Sequence, residues 1–359
     1  MPIYAFGSNE HGQLGDSRPT QNPQPVLVSD CDTVLAASWA QVVVCEGTGD
    51  IAVRGLPLER SVALTSVKTW LGQDEFVAVL LQDGTVQRLS DGVITSSRYR
   101  LASMNSRGQV LLVPDNKPTT LLLYDSLNSL FAVESDVVQE SQPTTLDLPF
   151  YPSTPTATEQ ISSIEAGAAH FLVLASPSSR LFSLGDNRYG QLGIPNVASR
   201  DLQLRRIDAL DGFKILDFAA GAFHSVVLTE HGEVYVFGLD KDAQCGGGGG
   251  GSEPYPVNDS LQGLLQDNFA DEDGEEIVQV AAAGPNTVLR TKSGAVWLAG
   301  ANCHGQLGIR VEKDSLQALA RHPSFGIAGA IKSEARLVSS VRNVVSSRWT
   351  TYLEVEEVE

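Results

Sequence analysis

The chain has 359 residues, of which 42% are hydrophobic and 19% charged, so it can bury a sizeable core and lacks a disordered protein's composition. Its 25 Lys and Arg against 43 Asp and Glu give a formal net charge of −18, which disfavours direct nucleic-acid binding, because phosphate contacts need clustered basic side chains. At about 150 residues per domain the length allows two or three ordinary domains or one large repeat domain.

Cys31, Cys45, Cys245 and Cys303 form no C-x-x-C pair, so reduced thiols are expected rather than a disulfide framework or a zinc ribbon. The N-terminus carries no basic and apolar leader, and no stretch approaches the ~20 apolar residues of a membrane span. A cytoplasmic and nuclear protein that avoids the membrane is expected. In such a compartment the tripeptide Asn258-Asp259-Ser260 meets no glycosylating enzyme.

From the start of the chain, Ile3 to Phe6 reads as a strand that runs into a nonapeptide turn, Gly7-Ser8-Asn9-Glu10-His11-Gly12-Gln13-Leu14-Gly15. The turn recurs as Gly185-Asp186-Asn187-Arg188-Tyr189-Gly190-Gln191-Leu192-Gly193 and as Gly300-Ala301-Asn302-Cys303-His304-Gly305-Gln306-Leu307-Gly308, with an eroded copy from Gly238 to Gly246. A second pattern precedes such turns: an apolar strand, Ala-Gly, two variable residues, often His, then two more strands. Ala166-Gly167-Ala168-Ala169-His170-Phe171-Leu172-Val173-Leu174 is one instance. Equivalent positions fall at Ser38, Gly72, Ser103, Gly167, Gly221, Gly284 and Ser347, which makes seven units. Gln82-Asp83-Gly84, Glu230-His231-Gly232 and Lys292-Ser293-Gly294 lie between paired strands as hairpin turns. The turn glycines supply positive φ, and the turn Leu is a wedge between neighbouring units.

Three segments depart from the pattern. Residues 125–160, with Gln142-Pro143-Thr144-Thr145 and Tyr151-Pro152-Ser153-Thr154-Pro155, read as an inserted surface loop. Residues 247–252, five glycines and a serine, read as an engineered flexible linker, the alternative being a natural low-complexity loop. The acidic runs Asp271 to Glu276 and Glu354 to Glu359 read as a solvated loop and tail, or as elements that steer a basic partner.

The last unit, Arg348-Trp349-Thr350-Thr351-Tyr352-Leu353, has no turn after it, whereas the first turn has no complete set of strands before it. Each end supplies what the other lacks, so the expected architecture is all-β: one domain over residues 1–359, a ring of seven small sheets closed by pairing the N- and C-terminal strands. Closure removes the open edge that invites aggregation.

The Ala-Gly-x-x-His and Gly-x-Asn-x-x-Gly-Gln-Leu-Gly signatures resemble those of the regulator-of-chromosome-condensation repeat family, which implies a seven-bladed β-propeller. Gly7, Asn9, Gly167, His170, Gly185, Asn187, Gly221, His224, Gly284, Gly300 and Asn302 are then structural repeat positions. A search for chemistry finds no nucleophile elbow, zinc-protease helix or phosphate loop, and the periodic placement of His170, His224, His11 and His304 favours scaffold roles over catalysis or metal binding. No catalytic residue, metal or cofactor is expected.

The variable loop residues should gather on one face around a central channel, where specificity can be placed without cost to the fold. They include Trp39, Asp74, Glu75, Asn105, Phe223, Asn286, Arg348 and Trp349. The aromatics either anchor a partner or pack between blades, while Asp74 and Glu75 select complementary charge. Within the resembled family, the compact layout implies a non-enzymatic adaptor that forms a heterodimer with a small CSL-type zinc-binding, electron-carrying protein. Through that partner it would support diphthamide synthesis and Elongator-dependent modification of tRNA wobble uridines. The alternative is a guanine-nucleotide exchange factor for a small GTPase.

Overall fold

The computed structural model describes residues 1–15, 19–29, 33–58, 64–134, 142–149, 159–195, 200–246, 251, 255–256, 276–309, 315–316, 318–325 and 338–357. Cys31 and most of the 247–252 run lie outside these residues.

The strands are short because the sequence offers apolar, β-branched runs of about five residues between glycine-bearing turns. Blade A opens with β1 (Ile3–Ser8) and β2 (Gln21–Ser29); blade B is β3 (Thr33–Ala37), β4 (Gln41–Cys45) and β5 (Ile51–Gly55). Blade C is β6 (Val67–Leu71), β7 (Ala78–Leu81) and β8 (Val86–Arg88). Blade D is β9 (Tyr99–Met104), β10 (Val110–Pro114), β11 (Thr120–Tyr124) and β12 (Thr144–Asp147), with the helix α1 (Leu127–Glu134) between its last two strands. Blade E is β13 (Gln160–Ala166), β14 (His170–Ser176), β15 (Arg180–Asp186) and β16 (Arg200–Arg206). Blade F is β17 (Ile215–Ala220), β18 (His224–Thr229), β19 (Val234–Gly238) and β20 (Tyr255–Pro256). Blade G is β21 (Ile277–Ala283), β22 (Asn286–Thr291), β23 (Val296–Gly300) and β24 (Ala320–Arg321), after which β25 (Val338–Ser347) and β26 (Thr350–Glu357) return to blade A.

Among the described residues the strands form seven antiparallel sheets, five of four strands and two of three. Sheet A has the order β2-β1-β26-β25, with Ile3 opposite Glu354 and Gly7 opposite Thr350. The two ends of the chain thus complete one blade, as the missing parts of the first and last repeats require. Seven apolar clusters each join two neighbouring sheets. Leu14 packs with Val42 and Val44 at the A/B seam, Phe171 with Leu111 at D/E, and Leu307 with Phe6 and Val288 at G/A. Leu14, Leu192 and Leu307 are all buried, as expected of the turn leucine, and Cys245 takes that place at the F/G seam.

Two sequence expectations are corrected. Residues 125–160 are not simply an inserted loop: they contain α1, whose Leu130 and Phe131 fill the C/D seam, and β12, the outer strand of blade D. The third unit is also shifted. Gly167 and Gly221 each donate their backbone N–H across the loop to the residue three places on, and in blade D it is Asn105, bonded to the carbonyl of Gln109, that does so. Ser103 lies inside β9 opposite Leu111. This blade has a longer inner loop and none of the repeat's glycine, so nothing in the sequence marked the register.

The eroded turn keeps the geometry of its relatives with different residues. Asp240 Oδ1 accepts from Cys245 N at 2.7 Å, as Asn187 Oδ1 does from Leu192 N at 3.0 Å. Ala243 stands where the other turns have Gly12, Gly190 and Gly305, and it is held at φ 57°, a left-handed conformation. That conformation costs a non-glycine residue about 1–2 kcal/mol, partly offset because glycine loses more entropy on folding. Ala243→Gly is therefore expected to raise unfolding stability by about 0.5–1 kcal/mol, read by denaturant titration; an unchanged or lower midpoint would contradict the turn's equivalence.

Candidate partner-binding face

The loops between the first and second strands of the blades gather around the mouth of a central channel of about 580 Å³, lined by small residues such as Ala36, Ala166, Ala220 and Ala283 with Trp70 and Phe223. Backbone bonds knit the loops together: Ala168 N donates to Ala222 O, Ala222 N to Gly284 O, and Trp39 N to Gln73 O. Gln73, which sequence reasoning passed over, reaches across the mouth and donates to the carbonyls of Ala166 and Gly167. The expected common face exists.

The repeat histidines explain its rigidity. His170 Nε2 lies 3.0 Å from Ser225 Oγ of the next blade, and that hydroxyl donates to Gln191 O at 2.8 Å. Since the hydroxyl's proton is committed to the carbonyl, His170 must donate from Nε2. His224, Thr287 and Gln244 O repeat the relay at the F/G seam with 2.9 and 2.7 Å contacts. Each imidazole lies over the glycine of its own loop: a Cβ on Gly167 would stand 2.2 Å from His170 Cε1, and one on Gly221 2.1 Å from His224 Cε1. The Ala-Gly-x-x-His signature is thus a ring-on-glycine contact joined to an interblade hydrogen bond, a scaffold role. Burial holds His170 neutral, with the neighbouring His224 adding to it, and lowers its pKa to about 3; burial lowers those of His224 and His322 to about 4.

The turns brace the face from outside. In each one the Gln side-chain oxygen accepts the backbone N–H two residues earlier, as between Gln191 and Tyr189 at 3.0 Å and between Gln306 and His304 at 2.8 Å. In the three intact turns the residue so fixed presents a ring to the next blade's loop aromatic, whereas in the eroded turn it is Asp242. His11 meets Trp39 at 5.1 Å, Tyr189 meets Phe223 at 5.4 Å, and His304 meets Trp349 at 4.6 Å between centroids.

The predicted loop residues divide into two groups. Trp39, Phe223 and Trp349 are half-buried, packed on turn rings yet reaching the surface. Asp74 and Arg348 pair at 3.0 Å across the mouth, each side chain 46% exposed, a geometry worth at most about 1 kcal/mol and readily exchanged for a partner's charges. Glu75 is exposed and has no ion pair among the described residues. Asn105 and Asn286, by contrast, are 1% and 3% exposed and are not part of the surface. Asn105 Oδ1 ties its own loop by accepting from Arg107 N and Gln109 N, a consequence of the shifted register. Asn286 pairs with Gly300 just as His170 pairs with Gly185, so it occupies the histidine position of a shorter loop.

Sequence reasoning missed Arg107 and Arg188, which both pair with Asp186 at 2.8 Å. Arg188 also lies over the rings of Tyr189 and Phe223. Although burial opposes it, the hydrogen bonds from Arg188 and Arg107 hold the Asp186 carboxyl below its usual range. Glu165 lines the channel and is exposed within it, and the surrounding walls with the nearby Asp217 carboxylate push its carboxyl upward. Burial likewise raises Asp217, despite the Val280 and Phe218 N–H groups that donate to it. The described residues contain no group of three or more metal-ligating side chains, and no described helix is long and apolar enough to cross a membrane.

The buried imidazoles stay neutral in the fold but take up protons when unfolded. Their stabilising contribution is complete above about pH 6.5 and is lost toward pH 4, each with a slope of about 1.4 kcal/mol per unit. Glu165 and Asp217 act in the opposite sense, since the fold holds their protons more tightly, but the three imidazoles outweigh them. The melting temperature should fall between pH 7 and pH 5, and His224→Asn, which copies Asn286, should flatten the decline; a flat wild-type profile would contradict the relay.

Comparison with known proteins agrees with this geometry. Two models described as "Regulator of chromosome condensation (RCC1) repeat" match residues 178–228 and 215–244. The chain is 31% identical over 149 residues to the human probable E3 ubiquitin-protein ligase HERC4, covering 42% of this chain and 13% of that protein. It is 26% identical over 220 residues to mouse RCC1 domain-containing protein 1, covering 54% and 55%. It thus spans well under two thirds of the length of these relatives. Prp20p of Saccharomyces cerevisiae superposes with a TM-score of 0.72 at 13% identity over 100% of this chain and 92% of its own, and human WBSCR16 with 0.66 at 13% identity over 99% and 100%. The chain is therefore a seven-bladed β-propeller in which residues 178–244 match the regulator of chromosome condensation repeat.

Proposed function

We propose that this chain is a non-enzymatic adaptor that docks a small CSL-type zinc-binding, electron-carrying protein on its loop face. The heterodimer would act in the cytoplasm and nucleus, supporting diphthamide synthesis and Elongator-dependent modification of tRNA wobble uridines. The observation that carries the docking is the channel mouth: three half-buried aromatics, each held by a turn ring, beside the exposed Asp74, Glu75 and Arg348. Rigid aromatic anchors with charges that choose the partner are the composition of interface hot spots. The class of partner rests on the likeness of the opening segment Tyr4-Ala5-Phe6-Gly7-Ser8-Asn9 and the repeat layout to the fungal α-tubulin suppressor.

Co-expression with a small four-cysteine zinc protein tests the reading. The wild-type chain should retain that protein through purification. Trp39→Ala, Glu75→Ala and Trp349→Ala together should weaken retention at least about tenfold while the propeller still melts cooperatively. Undiminished co-purification of the triple variant would count against the face. The second reading is an exchange factor, and its support is the fold shared with Prp20p, which is described as binding Gsp1p and histones. An adaptor should leave nucleotide release from a panel of small GTPases unchanged; stimulated release favours the exchange reading.

A further inference from the structure

The blades differ at their outer edge. Ala5, Ser183, Val236 and Leu298 each stand two residues before the positive-φ glycine at or next to the end of a third strand, and each is paired with an outer fourth strand, to Val26, Arg205, Tyr255 and Ala320. In blade B the same position is Val53, two before Gly55, and among the described residues sheet B ends at β5. Blade C also has three strands, but its edge is blunted where Gln87 bridges Ile94, Arg88 N donates to Val93 O, and Thr95 N to Val86 O.

The direction of each β5 backbone group follows from the ends of its hairpin. Glu46 N donates to Asp50 O and Leu56 N to Ala40 O, so the even-numbered residues of β5 bond inward to β4 and the N–H and C=O of Ile51, Val53 and Gly55 point outward. In blades F and G the groups equivalent to those of Gly55 are used: Gly238 N donates to Gly251 O, and Gly300 O accepts from Leu316 N. In blade B they find no partner among the described residues. The side chains of Ile51 and Val53 lean on the B/C seam, whose core among the described residues is four buried residues, Val43, Phe76, Val79 and Leu89, against seven or more in each of the other six.

We propose that β5 is a strand-addition site, where an extended segment of a partner protein pairs antiparallel with Ile51–Gly55 as the fourth strand of blade B. Two aliphatic side chains spaced two residues apart would complete the B/C seam, as Leu202 and Leu204 of β16 do at the D/E seam. In an antiparallel strand the residues after this pair run past Ile51 toward the exposed Asp50, so a lysine or arginine there meets the acidic end of the hairpin, whose other carboxylate, Glu46, lies 4.0 Å from Arg54. Main-chain bonds supply the affinity and the aliphatic spacing the specificity. The site is independent of the loop-face reading.

The test uses a synthetic peptide, Ser-Thr-Val-Thr-Val-Thr-Lys-Lys, with the full chain and amide hydrogen exchange. Saturating peptide should slow exchange at Ile51, Val53 and Gly55 by about tenfold. A peptide with proline for both valines, or glutamate for both lysines, should protect these amides less. Val53→Pro removes an outward N–H and no bond within the blade, so it should keep the wild-type fold and lose the protection, whereas Val53→Thr should retain it. No protection by the valine peptide, or equal protection of Val53→Pro, overturns the site. A dimer of the free wild-type chain that Val53→Pro dissolves would make a second copy the occupant and overturn the partner assignment.

Discussion

Each sheet of this propeller is apolar on both faces, and each face is covered only by the next sheet. The middle strands show this directly: β14 and β18 are almost wholly buried along their length, although each sheet is only three or four strands wide. A row of such sheets would leave one apolar face bare at either end. The pairing of Ile3–Gly7 with Thr350–Glu354 removes both, so the stability of every seam depends on a contact between the two ends of the chain. Folding must therefore bring together residues some 350 positions apart, a large loop-closure cost that only the completed ring offsets.

Closure also determines what the loops can be. Once the sheets are radial, the loop between the first and second strands of each blade must cross near the axis, where there is room for little beyond backbone. Glycine at 167 and 221 admits an imidazole above it, and the imidazole donates to a hydroxyl of the next blade. The same hydroxyl bonds to the turn carbonyl that follows the preceding blade's third strand. The two signatures that recur in the sequence are thus halves of a single interblade joint. Where one half changes, the other adjusts: Asn286 replaces the histidine in a shortened loop while Thr351 still donates to Gln306 O.

The loop face inherits its rigidity from these joints. Trp39, Phe223 and Trp349 each rest on a turn ring and stay half-buried, so packing on the turn does not remove them from the surface. Among the described residues the blades without the nonapeptide turn show no such joint. There the mouth is held instead by side chains such as Gln73 and Arg107, which bond across to blade E, and among the described residues two of these blades have three strands instead of four. The degenerate part of the repeat is where the ring departs from uniformity and where its surface differs most from blade to blade.

Repeat number, ring closure, the hairpin glycines and the buried turn leucines were legible in the sequence, because each depends on local residue chemistry repeated at matching places: glycine where φ is positive, Asn and Gln where a turn needs its N–H groups bonded. The register of blade D was not legible, since its loop lacks that glycine and is anchored by Asn105, nor was the strand hidden in residues 144–147, whose polar and threonine-rich sequence carries no apolar alternation. Which loop residues face solvent, the Asp74–Arg348 pair across the mouth, and the open edge of β5 were decided by tertiary structure alone. Each depends on how one blade lies against another, and residues distant in sequence meet there only after the ring has closed.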